Sequence, residues 1–111
     1  MVKSEASRLD SIFHALSDPT RRSILRDVAR RQKTVGEIAR PYHVSLAAVS
    51  KHLKVLETAE LITREKRGSF QMVGLNAKPM KEAGRWLAYY ERFWNQRLDA
   101  LKNLLEGEGH E

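Results

Sequence analysis

The sequence predicts a mainly α-helical fold that carries a single β-hairpin, and three observations lead there. Short amphipathic segments, each with its own cap, fill the first half of the chain. A basic, strand-like pattern centred on Gly68 follows them. A long run with apolar residues three and four apart then closes the sequence. The 111 residues are read as one domain, 1–111, large enough to bury about 65% of the surface of its unfolded chain.

The elements follow in order. Leu9, Ile12, Phe13 and Leu16 stand at i, i+3, i+4 and i+7, so residues 5–16 form an amphipathic helix. Asp18-Pro19 restarts the chain: Asp18 caps a second helix, and Pro19 suits a first helical position whose N–H has no intrahelical partner. That helix runs to about Arg31 and buries Ile24, Leu25 and Val28, while Arg21, Arg22, Arg26 and Arg30 lie on its other faces, most of them read as solvated surface, with an approach to phosphates left open. Thr34 and Glu37 have capping-box spacing and open a third, short helix. Pro41 disfavours helical angles at Arg40 and ends this helix early. His43 falls in the turn, where a positive φ is expected and histidine tolerates it better than most residues.

Ser45 caps the fourth helix, which runs from about Leu46 to Ala59. Val49, Leu53 and Leu56 share one face, and Ala47, Ser50, Lys51 and Lys54 point the other way. Ala39 is the small residue that lets the third and fourth helices cross closely. A helix with an apolar back and a small, polar, cationic front fits a DNA major groove. Two strand-like runs, Leu61 to Lys66 and Phe70 to Leu75, join through Arg67-Gly68-Ser69. The expectation is therefore a winged helix-turn-helix: a motif over 34–59, a two-stranded wing over 61–75 and a last helix over 79–105. Residues 106–111 read as a frayed tail.

The last helix carries Leu87, Tyr90, Trp94, Leu98, Leu101 and Leu105 on one stripe, widened by Trp86, Phe93 and Leu104. That is more apolar surface than so small a domain covers unaided. The terminal helices are expected to pair with a second copy, using Leu9, Ile12, Phe13, Leu87, Tyr90, Trp94, Leu98 and Leu101.

The run from Ser45 through Val49-Ser-Lys-His-Leu, the segment Ala59-Glu-Leu-Ile, the wing Arg64-Glu-Lys-Arg-Gly-Ser and the upstream Leu16-Ser-Asp-Pro-Thr-Arg-Arg together resemble the ArsR/SmtB-type winged helix-turn-helix repressors of bacteria. The resemblance covers residues 9–75. It implies a homodimeric transcription factor, usually a repressor, often released from DNA by a ligand. It also implies dimerisation through the terminal helices. Two departures bear on metal sensing. The family's thiolate site needs cysteines in the first motif helix, where this chain has Val35-Gly-Glu-Ile-Ala. Its other site uses Asp, His and Glu on the last helix, and Met80 to Leu105 contain no histidine.

Composition agrees with a polyanionic partner: the net charge is +6 at pH 7. No cysteine is present, which excludes disulfides and thiolate chemistry. His14, His43, His52 and His110 show no ligand spacing, and His52 reads as a packing and hydrogen-bonding residue. No metal and no cofactor is expected. No apolar run approaches the roughly 20 residues of a membrane span, and no signal peptide opens the chain, so a cytoplasmic protein is expected. Neither a phosphate loop nor a nucleophile beside a base is present to suggest an enzyme.

Arg40, Ser45, Ala47, Ala48, Ser50, Lys51, Lys54, Arg64, Lys66 and Arg67 are the expected DNA-binding residues. The cations neutralise phosphates, and Ser50 and Lys51 reach base edges. Leu46, Ala47 and Ala48 can meet thymine methyls but cannot form bidentate hydrogen bonds to purines, so part of the specificity falls to DNA shape. The expected partner is double-stranded DNA with a pseudo-palindromic operator. Two other readings stay open: an architectural or protein-interaction module without operator specificity, and a repressor gated by a small organic ligand between Trp86, Tyr90 and Trp94.

Overall fold

The computed structural model describes residues 4–109. Five helices and three strands follow in the order α1 (Glu5–Leu16), α2 (Pro19–Arg30), β1 (Lys33–Thr34), α3 (Val35–Ala39), α4 (Leu46–Thr58), β2 (Ile62–Arg67), β3 (Phe70–Leu75) and α5 (Lys78–Gly109). The chain divides into two compact units, one through Lys81 and one from Glu82 on.

Local capping chemistry sets the helix starts. The Ser7 N–H donates to Ser4 Oγ at the head of α1, and the Arg21 N–H donates to Asp18 Oδ2 at the head of α2. At α3 both halves of the capping box form: the Glu37 N–H donates to Thr34 Oγ1 over 3.1 Å, and the Thr34 N–H donates to Glu37 Oε1 over 3.0 Å. This satisfies two backbone donors that the short helix could not satisfy itself.

The turn between α3 and α4 differs from its expected form. Helix α3 stops at Ala39, as Pro41 predicts, yet Arg40 keeps helical angles because its N–H still bonds the Gly36 carbonyl. The Tyr42 N–H then closes on the Ala39 carbonyl at 3.0 Å, so the chain reverses without a left-handed residue. His43 does not take the positive φ expected of it; among the described non-glycine residues only Glu60 does, at φ 59.

Glu60 terminates α4. The Leu61 N–H reaches back to the Leu56 carbonyl and the Glu60 N–H to the Glu57 carbonyl, the pair of bonds that defines a Schellman cap. Asn76 fastens the same corner from below β3: its amide Nδ2 donates to the Glu60 carbonyl at 2.8 Å, and its N–H to the Leu61 carbonyl.

The sheet has three strands in the order β1-β3-β2, all antiparallel, rather than the expected two. Strand β1 is two residues long, pairing Lys33 with Val73 and Thr34 with Met72. Two residues are too few to show an alternation in sequence. Between the sheet and the helices lies one core of Ile24, Leu25, Val28, Ile38, Val49, Leu53, Leu56, Leu61 and Val73, with Ala39 at the close approach.

Helix α5 begins one residue earlier than expected, within the first unit, and runs through Gly109, taking in most of the predicted tail; 110–111 lie outside the described residues. Its 32 residues correspond to about 48 Å. Leu87, Tyr90, Trp94, Leu98, Leu101, Leu104 and Leu105 are all exposed along it.

Candidate nucleic-acid interface

Helix α4 presents the two faces its spacing requires. Val49, Leu53 and Leu56 are completely buried, while Ala47, Ser50, Lys51 and Lys54 are exposed and Ala48 is half-buried. Ser45 accepts from the Ala48 N–H at 3.1 Å, so its hydroxyl serves the helix cap. Lys51 and Lys54, and Arg40 at the end of α3, have no ion-pair partner among the described residues. Their charges are therefore available to phosphates without first breaking an internal pair.

The wing is closed by Gly68 and Ser69. Of these two residues only Gly68 has a positive φ, at 61, which is the requirement of a type II′ turn and the reason a glycine stands there. Lys66 is exposed at this end, and Arg67 pairs with Glu65 at 3.1 Å on the surface. Such exposed pairs are worth little and exchange readily for a phosphate.

Arg64 is placed differently from the other cations. Its Nη2 donates to Gln71 Oε1 over 2.6 Å, and its Nη1 lies 3.6 Å from Glu57 Oε2 near the end of α4. The guanidinium thus braces the recognition helix against both strands of the wing. Glu57 and Gln71 were not among the expected site residues, because neither carries a positive charge nor stands at a groove-facing position.

Arg21 is a second residue whose place the sequence does not reveal. Read as solvated surface, it is instead 9% exposed. Its Nε donates to the Ala15 carbonyl at 2.8 Å and its Nη2 to the His14 carbonyl at 3.0 Å, closing the end of α1. Its Nη1 lies 3.4 Å from His52 Nδ1 on α4. Arginine only donates, so Nδ1 is the acceptor in this contact. Asp18 completes the group, with Oδ2 3.9 Å from His52 Nδ1. The N–H of Arg21 holds the Asp18 carboxyl below its ordinary 3.8, with a smaller contribution from the Arg21 charge. Three helices meet at this polar cluster, and it sets the recognition helix against α1 and α2.

Between α4, the start of α3 and the wing lies an open groove of about 460 Å³, lined in part by Val35, Leu46, Ser50, Arg64, Phe70 and Gln71. The donor set of a thiolate metal site is missing from the chain, and among the described residues no three His, Asp or Glu side chains gather closely enough to hold a metal ion. Among those residues, too, no helix is long and apolar enough to cross a membrane.

Comparison with known proteins agrees with this geometry. A family described as a helix-turn-helix domain matches residues 16–65. The HTH-type transcriptional regulator Rv2034 of Mycobacterium tuberculosis is 37% identical over 100 residues, covering 90% of this chain and 91% of its own length. The transcriptional repressor SdpR of Bacillus subtilis is 34% identical over 79 residues, 71% of this chain and 88% of its own. A crystal structure of an ArsR family transcriptional regulator superimposes with a TM-score of 0.77 at 33% identity, covering 86% of this chain and 97% of the other. The basic face of α4, the hairpin wing beside it and these relatives lead to one conclusion: the chain belongs to the ArsR family of winged helix-turn-helix regulators and is a DNA-binding regulator of transcription.

Proposed function

We propose that the protein is a cytoplasmic, homodimeric repressor that holds a pseudo-palindromic operator through two copies of α4 and two wings. The single observation that carries the dimer is the exposed stripe of α5, where Trp94, Leu98, Leu101 and Leu105 are each more than half exposed in the lone chain. Two such helices laid together remove this surface from water. Leu9 and Ile12 are already buried within the chain and Phe13 half-buried, so α1 offers a second copy less than its pattern predicts. That SdpR is a transcriptional repressor supports repression rather than activation.

On this reading Lys51 reaches base edges, while Arg40, Lys54, Lys66 and Arg67 neutralise phosphates. Two-fold symmetry places the half-site centres about 34 Å apart, or a multiple of that. Sedimentation at micromolar concentration should give a dimer, and a stable monomer would sink the proposal. Fragments selected from genomic DNA by the wild-type protein then supply the operator. Lys51→Ala should narrow the gap between that operator and random DNA by ~1–3 kcal/mol. Arg67→Ala should weaken both alike and lower the salt slope by about one. Equal weakening of both duplexes by Lys51→Ala would reduce Lys51 to a phosphate clamp.

A further inference from the structure

Phe70 opens β3 and is 63% exposed, although every other residue from Glu65 to Gln71 is polar, charged or glycine. The hairpin register sets it directly opposite Arg67 across the two-residue turn. Residues directly opposite share one face of a sheet, so a phenyl ring and a guanidinium project together from the end of the wing. Phe70 also borders the groove of about 460 Å³ between the wing and α4, and the exposed Leu46 borders the same groove from α4.

The occupant follows from the chemistry of the lining. With α4 in a major groove, the strand bounding that groove passes between the helix and the wing. A DNA strand alternates anionic phosphates with deoxyriboses whose carbon faces are apolar. The groove offers the complementary set: a cation at Arg64, polar groups at Ser50 and Gln71, and apolar side chains at Phe70 and Leu46. We propose that Phe70 is an apolar DNA contact, its ring packing on a deoxyribose of the strand that runs between α4 and the wing. The proposal rests on the DNA-binding reading and adds to it a residue that no charge argument selects.

An apolar contact to sugar has two signatures. It releases no counterions, and it reads no base. Phe70→Ala should therefore weaken the selected operator and random duplex alike, by about five- to tenfold, with the salt slope unchanged. Phe70→Leu, which keeps an apolar side chain, should recover most of the loss. Arg67→Ala, titrated in parallel, shows what a lost phosphate contact looks like. Circular dichroism checks that each variant folds, as an exposed position leads one to expect. Phe70→Ala binding within about twofold of wild type would overturn the proposal, as would a slope reduced by about one. So would a change in sedimentation with DNA affinity intact, since that would make Phe70 a protein contact. A wild-type protein that binds neither duplex would sink the DNA-binding reading itself and the proposal with it, an outcome distinct from a silent Phe70.

Discussion

Arg21 shows how much one side chain carries. It is the buried charge of the helical core, and it spends its donors on two α1 carbonyls and on His52, which lies 31 positions further along the chain. Removing it takes the donor from the buried Ala15 carbonyl, the costly direction of hydrogen-bond loss, while the His14 carbonyl keeps the Ser17 N–H and hydroxyl. Arg21→Ala should destabilise the fold by roughly 2–4 kcal/mol. Arg21→Lys should recover little, since an ammonium cannot span three acceptors held by a planar fork. Urea unfolding of the three proteins measures both numbers, and an Arg21→Ala midpoint equal to wild type would remove the residue from this role. Nothing local in the sequence separates Arg21 from Arg22, Arg26 and Arg30. The distinction comes from tertiary packing, which a helical periodicity read alone does not contain.

Among the elements, the helix starts are where chemistry is most local and sequence most informative. Asp18-Pro19, the Thr34 and Glu37 box and Ser45 all cap as their spacing indicates, because each partner lies within three residues. Two of these caps titrate. The Arg21 N–H holds Asp18 below its ordinary 3.8, and the Thr34 N–H, with Arg31 beside it, holds Glu37 below 4.5. Both carboxyls are more acidic in the fold than in the unfolded chain. Their stabilisation is thus complete above the ordinary values and disappears as pH falls through the lowered ones. Stability should be flat from pH 6 to 5 as far as these two groups are concerned, and decline below about 4. Asp18→Asn and Glu37→Gln should each flatten that acid limb in urea titrations, and an unchanged limb in both would contradict the assignment. What sequence spacing leaves out is the element that depends on a distant strand. Strand β1 exists only through Val73 and Met72, and the brace on Arg64 only through Glu57 and Gln71. His43 departs from its expected positive φ for a different reason: a proline two positions earlier and a bond from Tyr42 to Ala39 shape the turn so that no left-handed residue is needed.

For the whole molecule, the arrangement of helix, turn, helix and basic hairpin was legible from residue spacing, whereas the covering of α5 falls, on the proposed reading, to a second copy. Leu98→Glu puts a charge in the middle of the stripe. The variant should sediment as a monomer at micromolar concentration, keep its helical spectrum and lose about 100-fold or more in operator affinity, because each half-site then binds alone. A dimer that survives Leu98→Glu would move the interface elsewhere. The bare stripe has one more consequence, for dosage. Where chains are scarce relative to the dissociation constant of the pair, assembled regulator follows the square of chain concentration. A twofold dilution, as when a cell doubles its volume without new synthesis, then lowers its concentration by about three-quarters. The apolar residues from Leu87 to Leu105 would in this way make the regulator a counter of its own copies, with a threshold set by how well two helices fit.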